Sequence, residues 1–468
     1  MDSLSGIAAK WYLRLEYEDL PADIVKETQR AILNTIAVAT AASGLEYGPS
    51  IRASAIDLGC IGKSQLFGYG DKISKTTAAF ANATWTAALA FDDSHTETLI
   101  HVYGTIVSTV LALAQEHQAS GKEIIVAIAG ASELTCRTGV IAPSEFHRNG
   151  LHPTGIIGAI GAAYAAARIL RLNLQQTINA VGIVGNMASG INQCWVDGSW
   201  SQLVDNGWAA QAGITAATMA SHGFTGSPEV LEGKLGLFRS HIQKNGYKFD
   251  FDRMIRGFGE IWEMRQIEIK PYPCGHVSQP FVDCILSMYR DGLRHDAVDR
   301  ITCLVADWMV PVVCEPKIQK QRPTSPWHGR VSLPYTVAES LYFGRLNAES
   351  YRHENLQSKE ILNLVDRIDC IIDDSAKVSR SYKGWVRIQT KNGEMLESIK
   401  QDQENSDRSL SEKDFTNKIK SCFEMGPYPI DIESILREVY KLDRASSIDA
   451  LMKACNSRHS DHMTSSTS

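Results

Sequence analysis

The chain has 468 residues, 44% hydrophobic and 21% charged, with 47 basic against 53 acidic side chains and a formal net charge of −6. That length suits two or three domains rather than one core, and the slight acidity excludes a global preference for nucleic acid or an anionic membrane surface. Ten cysteines are irregularly spaced without a CxxC pair, which argues against a structural zinc site or disulfide framework and for free thiols in a reducing compartment.

The N-terminal stretch mixes acids with bases and holds no long apolar run, so it reads as neither a secretory signal nor a transit peptide. The last residues, Ser465 to Ser468, are not a peroxisomal address, and the cytoplasm is the expected location. Asp19-Leu20-Pro21 opens a helix along which Ile24, Val25, Thr28, Ile32, Ile36 and Ala39 recur at helical spacing until Gly44. Further helices are predicted at 75–90, 105–118, 122–139, 155–171, 174–189 and 208–222, many with Ala and Gly on the packing face. The most apolar stretch, Thr154–Leu170, is shorter than a membrane span and carries Arg168, so it reads as a buried helix. Its Gly155, Gly158 and Gly161 do not form the dinucleotide-binding fingerprint.

The character changes near residue 265. Arg300–Ala306, Arg367–Ile372 and Gly384–Thr390 are β-rich, and Lys391-Asn392-Gly393-Glu394 predicts a hairpin turn into another short strand. Helices at 277–291 and 335–345 are expected to cover this sheet. Residues 401–414 read as a polar linker, 430–456 as helix, and the Ser/Thr/His-rich tail 457–468 as disordered. The expected fold class is mostly α with an inserted α+β domain. The helical domain takes residues 1–267 and 401–456, the α+β domain 268–400, with a cleft between them.

Phe91-Asp92-Asp93-Ser94-His95-Thr96-Glu97-Thr98-Leu99-Ile100-His101 packs three acids and two imidazoles between two helices. Three readings are open: a metal site, although no HExxH-like pair occurs; solvated loop residues with local caps; or acid–base chemistry. His152 stands just before a Gly/Ala-rich helix, where the positive end of the dipole favours a neutral imidazole. Alone, a histidine in this position is more often a surface or capping residue. A second polar loop runs from Asp197 to Asn206, with Trp200 and Trp208 as candidates for an apolar wall or core packing. Ile269-Lys270-Pro271-Tyr272-Pro273-Cys274 joins a cation to a rigid turn at the expected domain boundary, and Arg322 and Arg330 are further candidates for holding carboxylates.

Together these segments resemble the MmgE/PrpD family of 2-methylcitrate dehydratases, cis-aconitate decarboxylases and an iminodisuccinate epimerase. The resemblance spans most of the chain and includes Gly223-Phe224-Thr225-Gly226-Ser227-Pro228 with Glu232-Gly233, the Lys270–Cys274 turn and Arg322-Pro323. It implies an MmgE/PrpD-like helical domain built from both chain ends, an α+β lid, homodimers, and no metal or other cofactor. Asp93, Ser94, His101, His152 and Lys270 fall on the family's active-site motif positions. On that basis His101 and His152 are the expected proton donor–acceptor pair and Asp93 orients an imidazole. Ser94, Lys270, Tyr272, Gln202 and Arg322 are expected to bind substrate.

The departures carry information too. Ala90 stands where relatives commonly have an acid, Gln202 where they have a lysine, and Asp205 and Gln279 where they have histidines. A floor for a polycarboxylate has thereby lost positive charge, and Asp205 is expected to turn a carboxylate toward the substrate. The function expected is a metal-independent lyase that decarboxylates or dehydrates a small or modified polycarboxylic acid, cis-aconitate- or alkylcitrate-like. The alternatives are an isomerase, epimerase or cyclase acting on a less charged substrate in a specialised pathway, and a non-enzymatic binding protein. The expected partners are a carboxylate-bearing small molecule and a second copy of the chain, with no nucleic acid and no membrane.

Overall fold

The computed structural model describes residues 3–373, 383–401 and 410–456. Its first half is a stack of helices, formed because apolar side chains recur at helical spacing over long runs. Ser3 caps Leu4–Arg14 by accepting the Gly6 N–H, and Pro21 opens the largely buried Ala22–Ser43. Lys75–Ala88, Tyr103–His117, Gly121–Gly139, Pro153–Ile169 and Val204–Ser221 bury most of their residues in the same core. Small residues set how closely they approach. A Cβ on Gly213 would lie 2.4 Å from the Ala162 Cβ, so Val204–Ser221 packs almost backbone to backbone on Pro153–Ile169. Leu174–Val184 stops short of the expected residue 189, ending at Gly185, and Val204–Ser221 starts before the expected 208.

Two short antiparallel pairs interrupt a region expected to be wholly helical: Ile61–Gln65 with Lys72–Ile73, and Asp93–His95 with Ile267–Ile269. Such short partners leave no period-two pattern to read. The second pair ties the acid- and histidine-rich segment to the approach to Lys270.

A second hydrophobic cluster forms around a four-stranded sheet. Its order is Ile368–Ile372, Val298–Val305, Lys383–Thr390, Met395–Gln401; the first pairing is parallel and the others antiparallel. Alternation along Lys383–Thr390 turns Gly384, Val386, Ile388 and Thr390 inward. Gln279–Arg290 packs on this strand, and Leu333–Phe343 packs on Gln279–Arg290. At 391–394 only Gly393 takes a positive φ, 88°, so the hairpin closes by a longer loop than a two-residue turn.

The chain then returns to the first core. Glu412–Glu424 lays Phe415, Ile419, Cys422 and Phe423 against Ala22–Ser43, with Arg30 bonded to Glu412 (3.1 Å) and standing 4.3 Å over the Phe415 ring. Ile432–Tyr440 and Asp449–Ala454 follow in the region expected to be helical. Of the stretch expected as a linker, residue 401 ends a strand and 412–414 open a helix, while 402–409 lie outside the described residues, as does the tail 457–468. The ten cysteines are unpaired thiols, and only Cys60 is exposed. Among the described residues no helix is long and apolar enough to cross a membrane.

Candidate active site

Successive side chains on a strand point to opposite faces, and this separates the two adjacent acids. The Lys270 N–H donates to the Asp92 carbonyl (3.0 Å), continuing the pairing of Asp93 with Ile269. Lys270 Nζ then donates to Asp92 Oδ1 at 2.6 Å, both side chains being 2% exposed. Burial opposes ionisation of Asp92, but the Lys270 ammonium and then His101 hold it below the ordinary carboxylate range. Asp93 is turned away. Its carboxylate accepts the N–H groups of Val102 (2.7 Å) and Tyr103 (3.2 Å), at the start of Tyr103–His117 where the dipole favours an anion. Burial and then the Asp92 charge push it up, to about 7.

His101 is therefore not oriented by the Asp93 carboxylate, as expected, but by its main chain: Nδ1 lies 2.6 Å from the Asp93 carbonyl oxygen. A carbonyl only accepts, so Nδ1 carries the proton and Nε2 the lone pair. Ser94 Oγ stands 3.0 Å from the same nitrogen. Burial, then Lys270, push the imidazole down to about 4, so it is neutral at pH 7.

His152 is the residue before Pro153 and caps Pro153–Ile169. Its Nδ1 lies 2.8 Å from Asp205 Oδ2, which corrects the expected role of Asp205: the carboxylate holds an imidazole instead of facing the substrate. Chain closeness makes this possible. A Cβ on Gly155 would lie 2.1 Å from the Ser189 carbonyl oxygen, so the 189–190 segment can press on the helix start, where the His152 N–H donates to the Gly190 carbonyl. The ring centroids of His101 and His152 are 5.9 Å apart.

Both histidines, Lys270 and Gln202 line one cavity of about 1130 Å³, walled by residues of both hydrophobic cores. Gln202 is already occupied: its Oε1 accepts from Trp195 Nε1 (2.9 Å) and its Nε2 donates to Asn192 Oδ1 (3.1 Å). Ser94 and Asp93 lie behind His101, fully buried and off the cavity wall. Two expected substrate ligands do not reach the cavity. Tyr272 donates its hydroxyl to Asp283 (2.9 Å), and its turn is clipped by Gln279, whose Nε2 donates to the Tyr272 and Cys274 carbonyls. Arg322 is half exposed, and its Nη2 donates to both Asp366 oxygens at 2.7 and 2.8 Å. Trp200 and Trp208 are neither wall nor core, being 40% and 39% exposed.

Three contributors were not singled out from sequence. Asp92 is the acid that pairs with Lys270; a strand at 93–95 would have revealed which of the two acids faces it. Asn206 lines the cavity at 1% exposure, and among the described residues neither amide atom has a hydrogen-bond partner. Lys418 stands on the buried face of Glu412–Glu424, a lysine between Phe415 and Ile419 at core spacing. It donates to the carbonyls of Phe91 (2.7 Å) and Lys270 (2.8 Å), clamping the two chain segments that carry Asp92 and Lys270. Burial pushes it down to about 7. Among the described residues no group of three His, Cys, Asp or Glu side chains is arranged to hold a metal.

Fold and site together define a mostly helical protein with a second, sheet-centred core and a histidine pair in the cavity both cores wall. The chain belongs to the MmgE/PrpD family: residues 7–250 match its N-terminal domain and 272–435 its C-terminal domain. A cis-aconitate decarboxylase-like protein of Aspergillus oryzae is 23% identical over 77% of this chain and 78% of its own length. The cis-aconitate decarboxylase of Aspergillus terreus is 25% identical over 78% of each chain, and that of Mus musculus 22% over 76% of this chain and 72% of its own.

Proposed function

We propose that the protein is a lyase acting on a small carboxylic acid, with His101 and His152 moving a proton to or from the substrate's carbon skeleton. One observation carries this reading. Two imidazoles lie 5.9 Å apart in one cavity, each with Nδ1 engaged by the protein, so that Nε2 is the atom left for the substrate. The names of the relatives fit the same chemistry.

In a decarboxylation an imidazolium delivers its proton to an alkene carbon. The bond to the departing carboxylate breaks, its electron pair forms the new alkene, and carbon dioxide leaves. In a dehydration neutral His101 takes a proton alpha to a carboxylate, and protonated His152 gives its own to the departing hydroxyl, which leaves as water. Asp205 compensates the charge on the His152 ring when Nε2 holds a proton. Lys270 and the unpaired Asn206 amide supply donors for a carboxylate or for the oxygen on which negative charge develops. Two imidazoles on one cavity, tilted 51° to each other, also fit a second reading, epimerisation, in which one ring removes a proton and the other returns it to the opposite face.

Mass spectrometry on the purified protein with a panel of di- and tricarboxylic acids tests both. Loss of carbon dioxide or water supports the lyase, and unchanged mass with a new retention time supports the isomerase. His101→Ala and His152→Ala should each lower turnover by roughly 10² to 10⁴. Turnover of no acid in the panel, or near-native rates in both variants, overturns the reading.

A further inference from the structure

We infer that the part of the cavity walled by the second core binds an uncharged apolar arm of the substrate, so that the natural acid is a carboxylate head carrying an aliphatic or aromatic extension. This rests on the acid-binding reading above and specifies its substrate class.

Charge points first. The cavity wall holds four acids, Asp92, Glu97, Glu145 and Asp307, against two permanent cations, Lys270 and Arg148. Neither cation is free: Lys270 pairs with Asp92 at 2.6 Å, and Arg148 lies 3.8 Å from Glu145. The burial-lowered His101 and His147 add no charge at pH 7. The acids are paired as well, Glu97 with Arg253 at 2.7 Å and Glu145 with Lys244 at 3.1 Å, so a substrate bearing three carboxylates would find no unpaired permanent cation among these lining residues, whereas one carboxylate could share Lys270 with Asp92 and take the Asn206 amide.

Size points the same way. About 1130 Å³ exceeds the roughly 300–1,000 Å³ that encloses a drug-sized ligand. A six-carbon acid would leave most of it to water.

The composition of the wall then says what fills the rest. Trp308, Pro311, Val312 and Val313 come from one short stretch whose Val310–Cys314 turn is a π-helix, an irregularity often found at functional sites. Pro311 is exposed and Val312 half-buried, so part of their apolar surface is left uncovered by the described residues. Leu99 joins them from the histidine segment. It packs against the second core and lines the cavity with φ +60°, a left-handed conformation that a bulky side chain rarely adopts. Such strain persists where the surroundings impose it, commonly at ligand sites. Leu99, two residues before His101, and Val312 thus both line the cavity and both pack against the second core.

The test uses the full chain and a homologous series of β-alkyl acrylates, each a single carboxylate with an alkyl arm from methyl to octyl, titrated calorimetrically at pH 7. Affinity should rise by about fourfold per methylene until the wall is filled, the transfer free energy of one CH₂. Val312→Asp, and Pro311→Ser should that variant not fold, should lower octyl binding at least tenfold more than methyl binding. Affinity independent of chain length, or a slope untouched in both variants, overturns the inference. Calorimetry needs no chemistry, so a chain-length slope without turnover keeps the arm and sinks the proton-transfer reading, and turnover without a slope does the reverse. Binding of no member overturns both.

Discussion

Replacing Asp205 by Asn probes the proton-transfer pair where its geometry is most specific. Asp205 and His152 are 8% and 3% exposed and 2.8 Å apart, so their bond is charge-assisted whenever the ring is protonated. Losing a charge-assisted bond costs roughly 1.5–3 kcal/mol, which is about one to two decades in rate. A second effect adds to it. An amide can turn its own N–H toward Nδ1, which shifts the ring proton to Nε2 and removes the lone pair; a wrong tautomer can cost about 10⁴. The expected fall in kcat is therefore roughly 10- to 10⁴-fold, with little change in KM. Steady-state kinetics on the acid found by the panel reads the rate. Nitrogen NMR of the imidazoles reads the tautomer without substrate, with Nδ1 protonated in the native protein. A native-like kcat, or a loss confined to KM, would refute the orienting role and return Asp205 to the substrate-facing position expected from sequence. For the same reason Asp205→His combined with Gln202→Lys should lower activity on tricarboxylates, since it removes the partner of His152.

Lys270→Met leaves Asp92 buried and unpaired and should destabilise by about 3–5 kcal/mol in urea unfolding. Adding Asp92→Asn should recover part of that loss; additive losses would mean the pair is not coupled. His95 is buried and pushed down to about 4 from its ordinary 6.5, chiefly by burial. Between pH 6.5 and 4 the unfolded chain takes up a proton that the folded one refuses, so this group's share of stability is complete above 6.5 and falls as pH drops through that window. His95→Gln should flatten the stability–pH slope there by up to about 1.4 kcal/mol per pH unit, and equal slopes in the two proteins would contradict a neutral buried imidazole. Arg322→Ala removes an exposed ion pair and should cost no more than about 1 kcal/mol of stability, with kcat/KM unchanged; a loss of turnover would bring Arg322 back to the site.

The helical scaffold was legible because its signal is local. Ile24, Thr28, Ile32 and Ile36 announce a buried face within one segment, and the predicted helices differ from the observed ones mainly at their ends. The sheet of the second core was legible for the same reason, through alternation along Lys383–Thr390 and Gly393 after it. Motif order pointed to the family and to His101, His152 and Lys270 as neighbours, and these do line one cavity. What sequence could not assign was direction. Asp92 and Asp93 are adjacent and chemically identical, and only a three-residue strand, paired with residues far along the chain, decides that one meets Lys270 and the other caps a helix. In sequence Asp205 is only a charge; in the fold it is the partner of His152, fifty-three residues earlier, because Gly155 lets the intervening loop close onto the helix start. Arg322 and Tyr272 carry side chains suited to a carboxylate, but Asp366 and Asp283 claim them first. Residue type and spacing determine which elements form and which groups can do chemistry. Which of those groups share a space, and which are already satisfied elsewhere, depends on contacts between distant segments, and these the packing of the two cores decides.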